Sequence, residues 1–145
     1  LRVADAMATA PVVAPAGAAV AEFIETRFSG SRHAAYPVLD GERVVGMLGF
    51  RDLTAIPTSQ WDDTRIAAVA RPMGRVLVLA PDVNLGDATV ELVQNDLGRA
   101  LVLEEDRLVG LLSMTDVSRL IELRTGSGSG RSDAAPLGGA APLRQ

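Results

Sequence analysis

The chain repeats itself. Residues Tyr36 to Leu53 read YPVLDGERVVGMLGFRDL, and residues Ala100 to Val117 read ALVLEEDRLVGLLSMTDV. They align without gaps at an offset of 64, with seven of eighteen positions identical: Val38/Val102, Leu39/Leu103, Arg43/Arg107, Val45/Val109, Gly46/Gly110, Leu48/Leu112 and Asp52/Asp116. Chance would give about one identity, so duplication of one structural unit is the better explanation. Upstream the likeness continues with small gaps, Val12-Val-Ala-Pro15 matching Val78-Leu-Ala-Pro81. A short helical stretch stands before each, Val3 to Met7 and Ile66 to Ala70. Whatever fold one half adopts, the other adopts too, and 145 residues suffice for two small units sharing a core.

Each half reads as short helix, short strand, amphipathic helix, two strands and helix. Pro15 and Pro81 end the first strands, because proline has no N–H to donate into a ladder. Val20, Phe23, Ile24 and Phe28 recur at helical spacing, as do Leu85, Ala88, Thr89, Leu92 and Val93. Asn84 or Asp82 is placed to cap the second of these helices. Asp40-Gly41 between two apolar runs is a hairpin signal, and its counterpart Glu104-Glu-Asp106 is polar but lacks the glycine. Asp52 and Asp116 stand at the start of the closing helices, where a carboxylate suits unpaired N–H groups and the positive dipole end.

These features predict an α/β (α+β) chain of two β-α-β-β-α units, 1–55 and 66–124, packed with pseudo-twofold symmetry. Residues 56–65 form a polar connector whose Trp61 covers an apolar edge. Residues 125–145, rich in Gly, Ser, Ala and Pro, bury too little to offset their ordering entropy and read as a flexible tail.

Paired units that each close with V-G-φ-φ-x-x-x-D-φ (φ apolar) resemble a CBS-domain pair, or Bateman module, over about Val3 to Leu123. Arg32-His-Ala-Ala-Tyr-Pro-Val38, Gly46 to Leu53 and the Pro/Trp-containing connector further resemble the C-terminal cytoplasmic CBS pair of actinobacterial site-2-protease-type zinc membrane metalloproteases. That resemblance implies a parent with a membrane-embedded protease part, a regulatory role for this segment, and self-association as a homodimer through helical faces. It also implies an adenosine-containing regulatory ligand (AMP, ADP, ATP or S-adenosylmethionine) in clefts between the units, and no required cofactor.

Carried over by the resemblance, the second unit holds the fuller site. Gly110, Ser113 and Asp116 take the glycine, hydroxyl and ribose-binding positions, and Thr115 adds a hydroxyl. Val78 and Arg99 to Leu101 would line the base pocket, with Arg99 also placed to neutralise a phosphate. The first unit keeps Gly46 and Asp52 but has Gly49 where the hydroxyl belongs; Arg51 or Arg32 would compensate by pairing with phosphate. Tyr36 belongs either to the base pocket or to packing. Both aspartates are equally readable as plain helix caps, and both glycines as residues of close strand packing.

Composition excludes more than it assigns. With no cysteine and the single histidine His33, neither a Cys/His pair nor a multi-histidine metal site is available. Ser29-Gly-Ser31 lacks the nucleophile-elbow pattern, and Gly126-Ser-Gly-Ser-Gly130 matches it only after a helix, the wrong context. No G-x4-G-K-[ST] phosphate loop occurs, so catalytic and metal residues are expected to be absent. All 14 basic residues are arginines, scattered through a chain of net charge −4, which is no footprint for nucleic acid. No apolar run approaches the ~18 residues that span a bilayer, so this segment is not expected to insert, and the lack of cysteine fits a reducing cytoplasm. The chain begins at Leu1 instead of Met, consistent with a longer parent.

Overall fold

In a computed structural model, residues 1–30 and 34–129 are described. The first half runs through helix α1 (Val3–Ala6), strand β1 (Ala14–Pro15), helix α2 (Val20–Thr26), strands β2 (Ala35–Asp40) and β3 (Arg43–Gly49) and helix α3 (Phe50–Thr54). The second runs through α4 (Ile66–Val69), β4 (Arg71–Pro72), β5 (Leu77–Leu79), α5 (Leu85–Gln94), β6 (Arg99–Glu104), β7 (Arg107–Ser113) and α6 (Met114–Ser129). Single 3₁₀ turns occur at Thr58–Gln60 and Met73–Arg75. The final helix thus continues past the Arg124/Thr125 boundary expected for the tail, and 130–145 lie outside the described residues.

The duplication is kept in the sheets. β1 pairs parallel with β2, and β5 with β6, while β2–β3 and β6–β7 are antiparallel hairpins. Ala35 faces Gly49 as Arg99 faces Ser113, and a register shift falls at Val38/Leu39 and again at Val102/Leu103. Side chains alternate along each strand. Tyr36 and Val38 enter the core of the first half with Phe23 and Leu53; Ala100 and Val102 enter that of the second with Leu92 and Leu112. The opposite faces of the two sheets meet around Val44, Met47 and Leu101.

One feature of the fold is invisible in the linear pattern. The short helices are exchanged between halves. α1 lies on the second half: Val3 N–H donates to Val83 O at 2.9 Å, Ala4 N–H to Pro81 O at 2.9 Å, and Ala8 bridges Leu111. α4 lies on the first: Ile66 N–H donates to Ala18 O and Ala67 N–H to Ala16 O, both at 2.9 Å. β4 then joins the edge of β3, pairing Arg71 with Met47 and Pro72 with Gly46. Val3 and Ile66, both fully buried, are core residues of the halves they visit.

This exchange explains the paired glycines. A Cβ on Gly46 would overlap the carbonyl oxygen of Arg71, and one on Gly110 would come within 2.6 Å of Met7 Sδ and 2.9 Å of Ala8 O. Both lie under the crossing segment of the other half. Trp61 covers the first core as expected, with Nε1 donating to Ile56 O at 3.0 Å. Asn84 is the cap of α5, its Oδ1 accepting from Asp87 N–H at 3.1 Å. Val93, by contrast, is 68% exposed, and Phe28 falls just beyond the end of α2.

The β6–β7 turn lacks glycine at a structural cost. Glu105 and Asp106 both hold left-handed backbone, with φ of 51° and 66°. Such turns match strand twist but favour Asn-Gly, since a Cβ is strained there. The double substitution Glu105→Asn, Asp106→Gly is expected to raise stability by about 1 kcal/mol, read as a higher urea midpoint at unchanged slope.

Candidate functional site

Two clefts lie between the halves, one at each closing aspartate. The Asp116 cleft, of about 360 Å³, is lined by Ser113, Thr115 and Asp116 from the second half. Its other wall comes from the first half: Ala8, Pro11 and Val12, then Arg27, Ser29 and Ala34 to Tyr36. The Asp52 cleft, of about 310 Å³, joins Gly49 to Asp52 and Ala34 and Ala35 to Arg71, Asp96, Leu97 and Arg99. Arg99 borders both.

The carboxylates are helix caps, and the two caps differ. Ser113 N–H and Oγ–H both donate to Asp116 Oδ2 at 2.9 Å, while Asp116 N–H donates back to Ser113 Oγ at 3.2 Å. This reciprocal box fixes the start of α6 and orients the carboxylate. Asp116 Oδ1 stands 3.7 Å from the exposed Arg119 guanidinium, beyond hydrogen-bond distance. At Asp52, Gly49 N–H donates to Oδ2 at 2.7 Å, and glycine has no hydroxyl to complete the box. A Cβ on Gly49 would come within 3.2 Å of Leu97 Cδ1, a tight contact that Leu97 would have to ease.

What faces each cap also differs. Arg71 and Ala8 occupy equivalent positions, each pairing with the matching residue of the edge strand, Met47 and Leu111. Arg71 Nε lies 3.9 Å from Asp52 Oδ1, and Arg71 Nη1 donates to both oxygens of Asp96 at 3.0 and 2.9 Å. The hydrogen bond and positive charge of Arg71 hold the Asp96 carboxyl below its ordinary value. Ala8 brings no such group to Asp116. The first cleft holds an ion pair from Arg71 to Asp96, and the second has Ala8 at the equivalent position, with Arg27 and Arg99 also in its lining.

The structure gathers Asp116, Ser113, Thr115, Arg99 and Tyr36 around one cleft and Asp52, Arg51 and Arg99 around the other. Tyr36 is 4% exposed; its ring meets Phe23 edge-on at 4.9 Å, and its hydroxyl accepts from Ser29 N–H at 3.0 Å. It is a packing residue whose edge borders the cleft.

Three expected residues lie elsewhere. Gly110 is covered by Met7 and Ala8. Leu101 is fully buried between the sheets. Val78 is 40% exposed and lines neither cleft. The physical reason is the exchange: the first-strand wall facing Asp116 comes from the opposite half, so Val12 stands where Val78 was expected. Arg32 and His33 lie outside the described residues. Arg71 and Asp96 carried no sequence signal, because their pairing depends on where α4 docks.

Comparison with known proteins decides the family. A family model described as CBS domain matches residues 3–57 and 66–123. The chain belongs to the CBS-domain family. It carries two such domains in tandem and, as a CBS pair, is a regulatory module, not a catalytic one. It is 34% identical over 125 residues to the protein named "Putative zinc metalloprotease Rip3" of Mycobacterium tuberculosis, matching 85% of this chain and 32% of that protein. The chain therefore spans about a third of the length of this relative.

Among solved structures it resembles CBSX2 of Arabidopsis thaliana in complex with AMP, with a TM-score of 0.72 at 22% identity over 86% of this chain and 98% of that one. The CBS pair of MJ0100, solved with 5′-methylthioadenosine and S-adenosyl-L-methionine, gives 0.67 at 17% identity, over 86% and 98%. These likenesses are of fold. No helix among the described residues is long and apolar enough to cross a membrane.

Proposed function

We propose that this CBS pair senses an adenosine-containing ligand, AMP, ADP, ATP or S-adenosylmethionine, in the Asp116 cleft. Its response would modulate a membrane-embedded zinc protease on whose cytoplasmic side it sits. The observation that carries the choice of cleft is the Ala8/Arg71 difference. The cation beside Asp116 is the exposed Arg119, at 3.7 Å, while Asp52 faces a half-buried guanidinium already paired to Asp96. An oriented, acceptor-only carboxylate suits the two hydroxyls of a ribose. Arg99 and Arg27 stand on the rim where a phosphate would lie, and Pro11, Val12 and Leu111 give the apolar surface for a base. CBS pairs of like fold solved with AMP and S-adenosyl-L-methionine support this ligand class. The protease partner rests on the Rip3 relative.

To regulate, the ligand must bind one arrangement of the halves, or of two modules, better than the other. A ligand that joins Ser113–Asp116 of one half to residues 8–12 of the other contacts both at once, so its affinity depends on how the halves are packed.

Calorimetry tests the reading. Asp116→Ala is expected to weaken nucleotide binding about ten- to a hundredfold, the worth of charge-assisted hydrogen bonds, and Asp52→Ala less than about threefold. Asp116→Asn, which keeps an acceptor for the cap, separates lost binding from a frayed α6. Absence of heat at millimolar concentration of all four ligands, or a larger loss from Asp52→Ala, rejects the reading.

A second reading is favoured by one observation. α5 and α6 pack on each other yet leave Val90, Val93, Ile121 and Leu123 between 50% and 68% exposed. A homodimer through these helical faces would cover them. Light scattering that shows a dimer indifferent to nucleotides would favour a docking module over a sensor.

A further inference from the structure

We propose that the chain has a second assembled form, a dimer in which two copies exchange the arm of residues 1–8, with Ala10 as the hinge. The arm belongs by contact to the second half. Val3 is fully buried in the core there, and α1 packs on α5, α6 and β7. Its backbone is held at both ends. Leu85 N–H donates to Leu1 O at 2.9 Å, and Ala8 exchanges two hydrogen bonds with Leu111, at 2.8 and 3.0 Å. A second copy offers the identical seat, so an arm that changes copies keeps each of these contacts.

The link from the arm to the first half is held far less. From Thr9 to Val12 no backbone hydrogen bond holds the chain among the described residues, and Thr9, Ala10 and Val12 are exposed. Bonding resumes at Val13, whose O accepts from Arg27 Nη1 at 3.3 Å. Within this link Ala10 has φ 51°, left-handed backbone for a residue that carries a Cβ, and it stands directly before Pro11. A residue before proline is driven toward extended backbone. The bend that folds the arm onto its own chain therefore opposes two preferences at once. Straightening the link relieves both and carries the arm away from its own second half. Short links under strain favour such exchange between copies.

The equivalent link after α4 shows the contrast. No residue from Arg71 to Val76 has a positive φ, Arg71 and Pro72 pair with β3, and a 3₁₀ turn spans Met73–Arg75. Of the two links, only that of α1 is strained. The exchange also reaches the site. Ala8 lines the Asp116 cleft, so in the exchanged dimer each such cleft takes its Ala8 from the other copy.

The chain has no cysteine, so introduced ones report without background. Arg2 and Asn84, both exposed, face each other across an antiparallel bridge, and so do Ala8 and Leu111. Such pairs hold their Cα atoms about 4.5–5.5 Å apart, within reach of a disulfide. Arg2→Cys and Asn84→Cys are made in separate full chains, unfolded, mixed, and refolded together at high concentration under mild oxidation. A linked dimer holding one chain of each kind is expected, well above dimers of like chains. The double variant, refolded dilute, is expected to close internally, which shows that the pair can bond. Ala8→Cys with Leu111→Cys repeats both measurements at the other end of the arm.

Ala10→Gly removes the strain from the closed monomer. It is expected to raise the dissociation constant of the exchanged dimer about tenfold or more, read from the concentration dependence of mixed linkage, since two hinges are relieved per dimer. Mixed chains that fail to link at either pair, like and unlike chains linked equally, or a double variant that does not close would each overturn the proposal. So would mixed linkage unchanged or increased by Ala10→Gly. A dimer that forms without linkage is the association through α5 and α6 and rejects exchange. No nucleotide enters these measurements, so their failure leaves the sensing reading of the Asp116 cleft untouched.

Discussion

Gly46→Ala is expected to destabilise the chain by about 3 kcal/mol or more, through one added methyl group. The new Cβ would overlap the carbonyl oxygen of Arg71, and its next neighbour is the carbonyl carbon of the same residue at 3.2 Å. Both are backbone atoms held in a ladder, Gly46 opposite Pro72 and Met47 opposite Arg71, so nothing soft yields. Relief requires β4 to leave the sheet edge, carrying with it Arg71 and the ion pairs to Asp52 and Asp96. Gly110→Ala is the internal control. Its Cβ would meet Met7 Sδ at 2.6 Å and Cγ at 3.0 Å, the flexible end of a thioether that can swing aside, though Ala8 O at 2.9 Å remains in the way. A cost of about 2 kcal/mol follows for that site. Urea unfolding of the two variants checks the order, and a Gly46→Ala cost below about 1 kcal/mol would mean that β4 does not lie as described.

The same contacts show what was legible in the sequence. The hairpins were, because duplication preserves local pairing: the 64-residue offset that aligns Gly46 with Gly110 also relates the two bulges at Val38/Leu39 and Val102/Leu103. The capping role of Asp52 and Asp116 was legible too, since a carboxylate three residues after the strand end reaches that strand's last N–H. The exchange of α1 and α4 was not. Ala8 meets Leu111 across about a hundred residues, and a four-residue helix marks its own phase without marking its partner. Most of what was missed at the site descends from this. Val12 replaces Val78 because the segment between α1 and β1 runs back from the opposite half along the cleft, and Arg71 reaches Asp96 because α4 delivers it to the edge of β3. Side-chain direction accounts for the rest: β6 sends Ala100 and Val102 to one face and Leu101 to the other, where the second sheet covers it.

Leu101→Ala puts that last point to measurement. Leu101 is fully buried with Val44 and Met47 where the two sheets meet, and Leu39, Leu97, Leu103 and Leu111 close around it. Truncation removes three carbons and leaves a cavity between two rigid ladders that cannot collapse locally. The expected cost is about 3 kcal/mol, within the 2–5 kcal/mol of buried Leu→Ala changes, and a fall in Tm of roughly 10 °C. Leu101→Met, which nearly conserves volume, is expected to cost under about 1.5 kcal/mol. Nucleotide affinity, measured where the variant is still folded, is expected to change less than about twofold, because Leu101 reaches neither cleft. A residue lining a base pocket would show the reverse, a large loss of affinity with little loss of stability.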